Sequence, residues 1–188
     1  MARITPALPE QYEPLFGPDA PLNLRIHANR PELAAAFATF AMTVMFDRSE
    51  LPPRLVELVR LRIAFHNQCR SCMAIRYSPG AEAGVTEDLV CSLEKPHEAD
   101  DLTETELAAL DYADLLATNH LAIDDATYDG LREHFSEPEI VELGVLCALC
   151  TGFGRLDATW DMVDELPERF GQRGVTITPW GEGDVIRA

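Results

Sequence analysis

The residues best suited to chemistry are two cysteines separated by two positions, in the run Cys69-Arg70-Ser71-Cys72. At the start of a helix this spacing brings two sulfurs close enough to bond to one another. The amides of a first helical turn have no intrahelical partner and carry partial positive charge, which favours a thiolate. Arg70 and Arg76 add charge nearby, and Arg76, four residues after Cys72, stands one helical turn away on the same face. Spacing alone is ambiguous, because a free cysteine often serves as a small core residue. The setting tips the balance, since Asn67 and Gln68 interrupt the apolar pattern just before the pair and charged residues flank it.

Glu57, Leu61, Ala64 and Gln68 fall along one face of the preceding helix and step toward Cys69. A carboxylate on that face can point at the thiols. The competing reading, favoured on the residues alone, is a surface ion pair of Glu57 with Arg54 or Arg60. His66, three residues before Cys69, is a candidate proton carrier, although a basic residue suited to the helix C-terminus is the stronger reading. Cys147 and Cys150 repeat the CxxC spacing, and with the first pair they have the composition of a four-cysteine zinc site. They lie inside a strongly apolar segment with no adjacent histidine, which marks them as core, and Cys91 reads as filler too. His27, His97, His120 and His134 show no ligand spacing. No metal and no other cofactor is expected.

Periodicity supplies the elements that hold these residues. Residues 1–28 carry Pro6, Pro9, Pro14, Pro18 and Pro21, so they cannot form one continuous helix and read as an extended arm with at most a short turn. Helices follow from about Asn29, which precedes Pro31 and Glu32 as a cap would; over 54–66; and from Cys69 to about Tyr77, ended by Ser78-Pro79-Gly80. Another starts at Thr86. Thr103 with Glu106, and Ser136 with Glu139, are capping boxes, and Asp124 or Asp125 opens a short helix between them. The segment from Ser136 to Trp160 is apolar around most of its circumference, which places it centrally. The reading is an all-α domain of about seven helices over 29–170, with the arm at 1–28 and a tail at 171–188 that has room for one short strand.

The chain has 188 residues, enough for one domain with a full core. Fifteen Lys or Arg against 32 Asp or Glu give a net charge of −17, which disfavours nucleic acid and anionic membrane surfaces as partners. No apolar run approaches the ~20 residues of a membrane span, and the first residues lack the apolar core of a secretory signal. An odd cysteine count without an export signal argues against a disulfide scaffold, so a cytoplasmic location is expected.

The stretch ELVRLRIAFHNQCRSCMAIR, Glu57 to Arg76, resembles the signature of the carboxymuconolactone decarboxylase and alkyl-hydroperoxidase D superfamily, in which a Glu precedes a CxxC by about a helix length. GFGRLDATW, Gly152 to Trp160, is similar to that family's closing helix. The resemblance implies a helical bundle assembled as a dimer, trimer or hexamer. It implies Glu57 as a proton-relay carboxylate, Cys72 as the attacking thiol and Cys69 as the resolving one. Its relay histidine falls at position 76, where this chain has Arg. Arginine holds a neighbouring thiolate by charge, worth about 1–4 kcal/mol depending on exposure, but cannot accept a proton. On this resemblance Arg76→His would restore the relay and raise turnover.

The implied function is a cysteine-based redox enzyme acting on a peroxide or a disulfide and regenerated by a thiol or dithiol. The alternative is a cofactor-free lyase, with Arg76 anchoring a small carboxylate or lactone and Glu57 or His66 moving a proton. A third reading is an oligomeric helical protein whose CxxC only senses redox state.

Overall fold

The computed structural model describes residues 1–188. In chain order the helices are α1 (Pro9–Phe16), α2 (Leu22–His27), α3 (Pro31–Met42), α4 (Pro53–Asn67), α5 (Arg70–Ala74), α6 (Ser78–Glu82), α7 (Glu87–Ser92), α8 (Glu104–Thr118), α9 (Asp125–Arg132), α10 (Glu137–Thr159) and α11 (Glu168–Gly171). Two dipeptide strands, β1 (Ile75–Arg76) and β2 (Ile186–Arg187), pair in parallel. The all-α reading holds. Its seven helices correspond to α3, α4, α5, α7, α8, α9 and α10, and the tail's short strand is β2.

The arm departs from expectation. It folds into α1 and α2 rather than running extended, because its prolines stand where helices tolerate them: Pro9 opens α1 and Pro21 precedes α2. Pro14 alone sits inside a helix. Asn29 does not cap α3; its side-chain amide donates to the carbonyls of Thr5 and Ile26 and ties the arm to itself.

Both capping boxes form. Thr103 Oγ1 accepts from the Glu106 amide at 3.2 Å while Glu106 accepts from the Thr103 amide at 2.9 Å. Glu139 accepts from the Ser136 amide at 2.7 Å.

The centre of the bundle is α4, packed between α8 and α10. Ten of its residues are buried, which requires apolar side chains on nearly every face. α10 is less enclosed than its composition suggests, since Val141 and Leu156 are exposed. Two glycines permit close approach to α4. A Cβ on Gly80 would lie 2.7 Å from Glu57 Cβ, and one on Gly154 would lie 2.5 Å from Asn67 Nδ2. A side chain at Gly80 would push α6 off the helix that carries Glu57, while one at Gly154 would displace the Asn67 amide.

Candidate functional site

The site begins where α4 stops. Gln68 adopts a left-handed conformation (φ 51°), which ends the helix and turns the chain. Its side chain then grips the tail: Oε1 accepts from the Ile177 amide at 2.9 Å and Nε2 donates to the Ile177 carbonyl at 3.0 Å. Cys69 follows as the N-cap of α5 in extended conformation, and its Sγ accepts from the Cys72 amide at 3.4 Å. The two cysteines are joined as a disulfide, with their Cα atoms 5.2 Å apart. Cys69 is wholly buried and Cys72 only partly so.

Glu57 is inside the protein, 3% exposed. It is ion-paired, as the residues alone favoured, but the pair is buried and not on the surface. Arg60 grips its carboxylate with two bonds, Nε to Oε2 at 2.8 Å and Nη2 to Oε1 at 2.7 Å. Arg60 also donates to the carbonyls of Cys72 at 2.7 Å and Ile75 at 2.8 Å, closing the exposed end of α5. Burial opposes the charge on Arg60, but Glu57 outweighs it and holds the guanidinium above its ordinary pKa. The Tyr77 ring lies 4.8 Å under the guanidinium, and burial raises its phenol pKa. Sequence reasoning did not single out Arg60 as the link to Cys72, nor Tyr77. The signal for Arg60 was its i, i+3 spacing from Glu57.

Arg76 and His66 have other partners. The helix expected to reach Tyr77 ends at Ala74, because Arg60 takes its carbonyls and Ile75–Arg76 pairs with the tail, so Arg76 is not one helical turn beyond Cys72. All five guanidinium N–H groups of Arg76 are committed: to both Glu87 carboxylate oxygens and to the carbonyls of Met73, Ile75 and Pro179. His66 Nε2 meets Asp114 Oδ1 at 2.6 Å, where Arg62 also binds. Burial would push the Asp114 carboxyl up, but these two partners hold it below its usual range.

The acid beside the sulfurs is one the sequence did not mark. Asp157 of α10 places a carboxylate oxygen within a group, with both Sγ atoms, whose members lie within 4.8 Å of one another. Both sulfurs are spent on their mutual bond, so in this state they offer no thiolate to a metal. Asp157 is 7% exposed, and His27 Nε2 of α2 lies 3.3 Å from its Oδ1 without the alignment of a hydrogen bond. His27 stacks on Phe37 at 4.8 Å and meets the edge of Trp160 at 4.8 Å. Asp157 falls inside the GFGRLDATW stretch already compared with the family. Nothing in the local sequence around His27 signalled it.

A cavity of about 370 Å³ opens beside Ser71 and Asp157, and neither cysteine lines it. Arg70, Ser71 and Asp157 line it together with Arg3, Asp161 and Arg173. The remaining cysteines are elsewhere. Cys147 is in the core with its thiol pKa raised well above normal by burial, and burial pushes Cys150 up to about 12. Cys91 is exposed, not filler, because α7 turns Leu89 and Val90 inward and Cys91 outward.

Residues 31–115, which contain Glu57, Cys69 and Cys72, match the carboxymuconolactone decarboxylase family. The match supports the superfamily that the Glu57-to-Arg76 signature resembles. An uncharacterized protein of Mycobacterium tuberculosis is 39% identical over 112 residues, which are 58% of this chain and 38% of the relative. The chain therefore matches well under half the length of that relative. Among solved structures, the debrominase Bmp8 superposes with a TM-score of 0.70 at 22% identity, covering 85% of this chain and 90% of its own. The alkylhydroperoxidase AhpD core protein from Ralstonia eutropha JMP134 superposes with a TM-score of 0.63 at 22% identity, covering 79% and 78%. Both likenesses show a shared helical fold. No helix is long and apolar enough to cross a membrane.

Proposed function

We propose that this chain is a thiol-dependent redox enzyme that reduces a hydroperoxide through Cys69 and Cys72. The observation that carries the reading is the bonded cysteine pair at a helix break, with a buried carboxylate within 4.8 Å and a cavity alongside. Cys72 is the partly exposed sulfur and attacks the terminal peroxide oxygen; the O–O bond breaks and the alkoxide departs as an alcohol. Cys69 then displaces hydroxide from the Cys72 sulfenic acid, forming the disulfide and water. An external thiol or dithiol is oxidised in returning the pair to two thiols. Glu57 acts through Arg60, which holds the Cys72 and Ile75 carbonyls.

The lyase reading draws less support, because the arginine that would anchor a carboxylate has no free donor. Exposed Leu33, Phe40 and Met42 on α3 favour assembly with further copies of the chain. The test is a thiol count on the fully reduced protein before and after one equivalent of tert-butyl hydroperoxide. The expected result is a loss of two thiols in the parent, while Cys72→Ser closes no disulfide. An unchanged count in the parent removes the reading.

A further inference from the structure

The hydroperoxide reading leaves the proton carrier unassigned. Two protons must leave the thiols and two oxygen leaving groups must receive them. The residue at the position implied by resemblance, Arg76, accepts no proton and is fully bonded elsewhere. His66 is held by Asp114. Glu57 is gripped by Arg60 and also accepts from the Tyr77 amide at 3.3 Å.

We propose that Asp157, with His27 behind it, is the proton-transfer pair of the Cys69–Cys72 site. Asp157 Oδ1 and His27 Nε2 are both buried atoms without a hydrogen-bond partner, although they lie 3.3 Å apart. Buried polar atoms are rarely left so, and those that are need a reason. A pair that shares a mobile proton is one such reason. Asp157 reaches in three directions: it lies within 4.8 Å of both sulfurs, touches the imidazole, and forms part of the cavity wall from which a peroxide would arrive. Phe37 and Trp160 fix the ring of His27, so it is oriented without a hydrogen bond. Charged and titratable groups near the pair are the two cysteines, Asp161, Arg3, Arg70 and Arg173 along the cavity, and the Tyr77 phenol, on which Asp157 acts electrostatically.

The balance closes without an outside acid. The Cys72 thiol gives its proton to the Asp157 carboxylate as its sulfur attacks the terminal oxygen, and Asp157 passes that proton to the departing alkoxide. The Cys69 thiol proton follows the same route to the hydroxide released when the S–S bond forms. His27, 3.3 Å from Oδ1, holds the Asp157 carboxylate in place between the two transfers, which makes it a positioning residue. Both residues lie outside the stretch that matches the family, residues 31–115. The helices that bring them in are the end of the arm and the end of α10.

The inference rests on the hydroperoxide reading, and the experiment separates the two. Reduced protein is oxidised in single turnovers by tert-butyl hydroperoxide, whose alkoxide needs a proton, and by 4,4′-dithiodipyridine, which releases the stabilised pyridine-4-thiolate without one. Asp157→Asn is expected to slow the first reaction by about 10²-fold, and the second, which needs Asp157 only to take the thiol proton, by no more than about tenfold. His27→Gln is expected to show the same selectivity with a smaller loss. Equal rates with both reagents in both variants, or an equal slowing with both, overturns the proton-transfer pair while leaving the hydroperoxide reading standing. Failure of the parent to react with the hydroperoxide overturns the underlying reading instead. If Asp157→Asn does not fold, His27→Gln decides by the same comparison.

Discussion

The chain carries the same four-residue spacing twice, and the two copies differ in every chemical respect. Cys69 and Cys72 straddle a helix start, with Cys69 extended and Cys72 in the first turn, and their sulfurs are joined. Cys147 and Cys150 sit within the 23 residues of α10, unbonded, with burial raising both pKa values. Spacing brings sulfurs near. A break in the helix frees one cysteine's backbone from helical dihedrals and leaves amides to bind a thiolate. The buried Glu57–Arg60 pair lies between the motifs: Arg60 holds the Cys72 carbonyl, and its charge acts on the Cys150 thiol.

That pair gives the largest effect by which the comparison can be broken. Glu57→Gln leaves the Arg60 charge buried without its counter-ion, at a cost of about 3–5 kcal/mol. Urea denaturation should show this loss, and Glu57→Gln combined with Arg60→Met should recover part of it. A neutral single variant would mean that the ion pair does not anchor the reactive motif.

Arg76→His comes next. Its guanidinium joins Glu87 to the Met73 and Pro179 carbonyls, so the variant should lose about 1–3 kcal/mol of stability with no gain in peroxide turnover. This reverses the expectation drawn from resemblance. A rise in turnover would show that position 76 serves the sulfurs after all.

The smallest effect concerns the clamp of α4 onto α8 just before the break. The native Asp114 carboxyl lies below its unfolded pKa of about 3.9, so its stabilisation is complete above that value and is lost as pH falls through the native one. Asp114→Asn should therefore lower thermal stability at pH 7, by under about 1 kcal/mol. The gap from the parent should close below about pH 4. A gap that stays constant to pH 3 would contradict the depressed carboxyl.

Much of the fold was readable because it is written in local signals. Thr103 with Glu106 and Ser136 with Glu139 mark helix starts by their own chemistry, and α4 and α10 carry long apolar patterns. The arm was misjudged because prolines forbid a continuous helix but permit short ones that begin at them. At the site, Cys69, Cys72 and Glu57 share one short stretch and were found together. Asp157 and His27 meet only when α10 and α2 converge, and nothing local records that a side chain will be left without a partner. Arg76 was placed by continuing a helix that tertiary bonds from Arg60 cut short.

The most direct measurement maps disulfides in the fully reduced protein after one equivalent of hydroperoxide, by mass spectrometry of its peptides after alkylation. The account predicts a single new bond, Cys69–Cys72, formed equally well when Cys147 and Cys150 are both replaced by serine. A bond between Cys147 and Cys150, or oxidation that leaves Cys69 and Cys72 as free thiols, would contradict it.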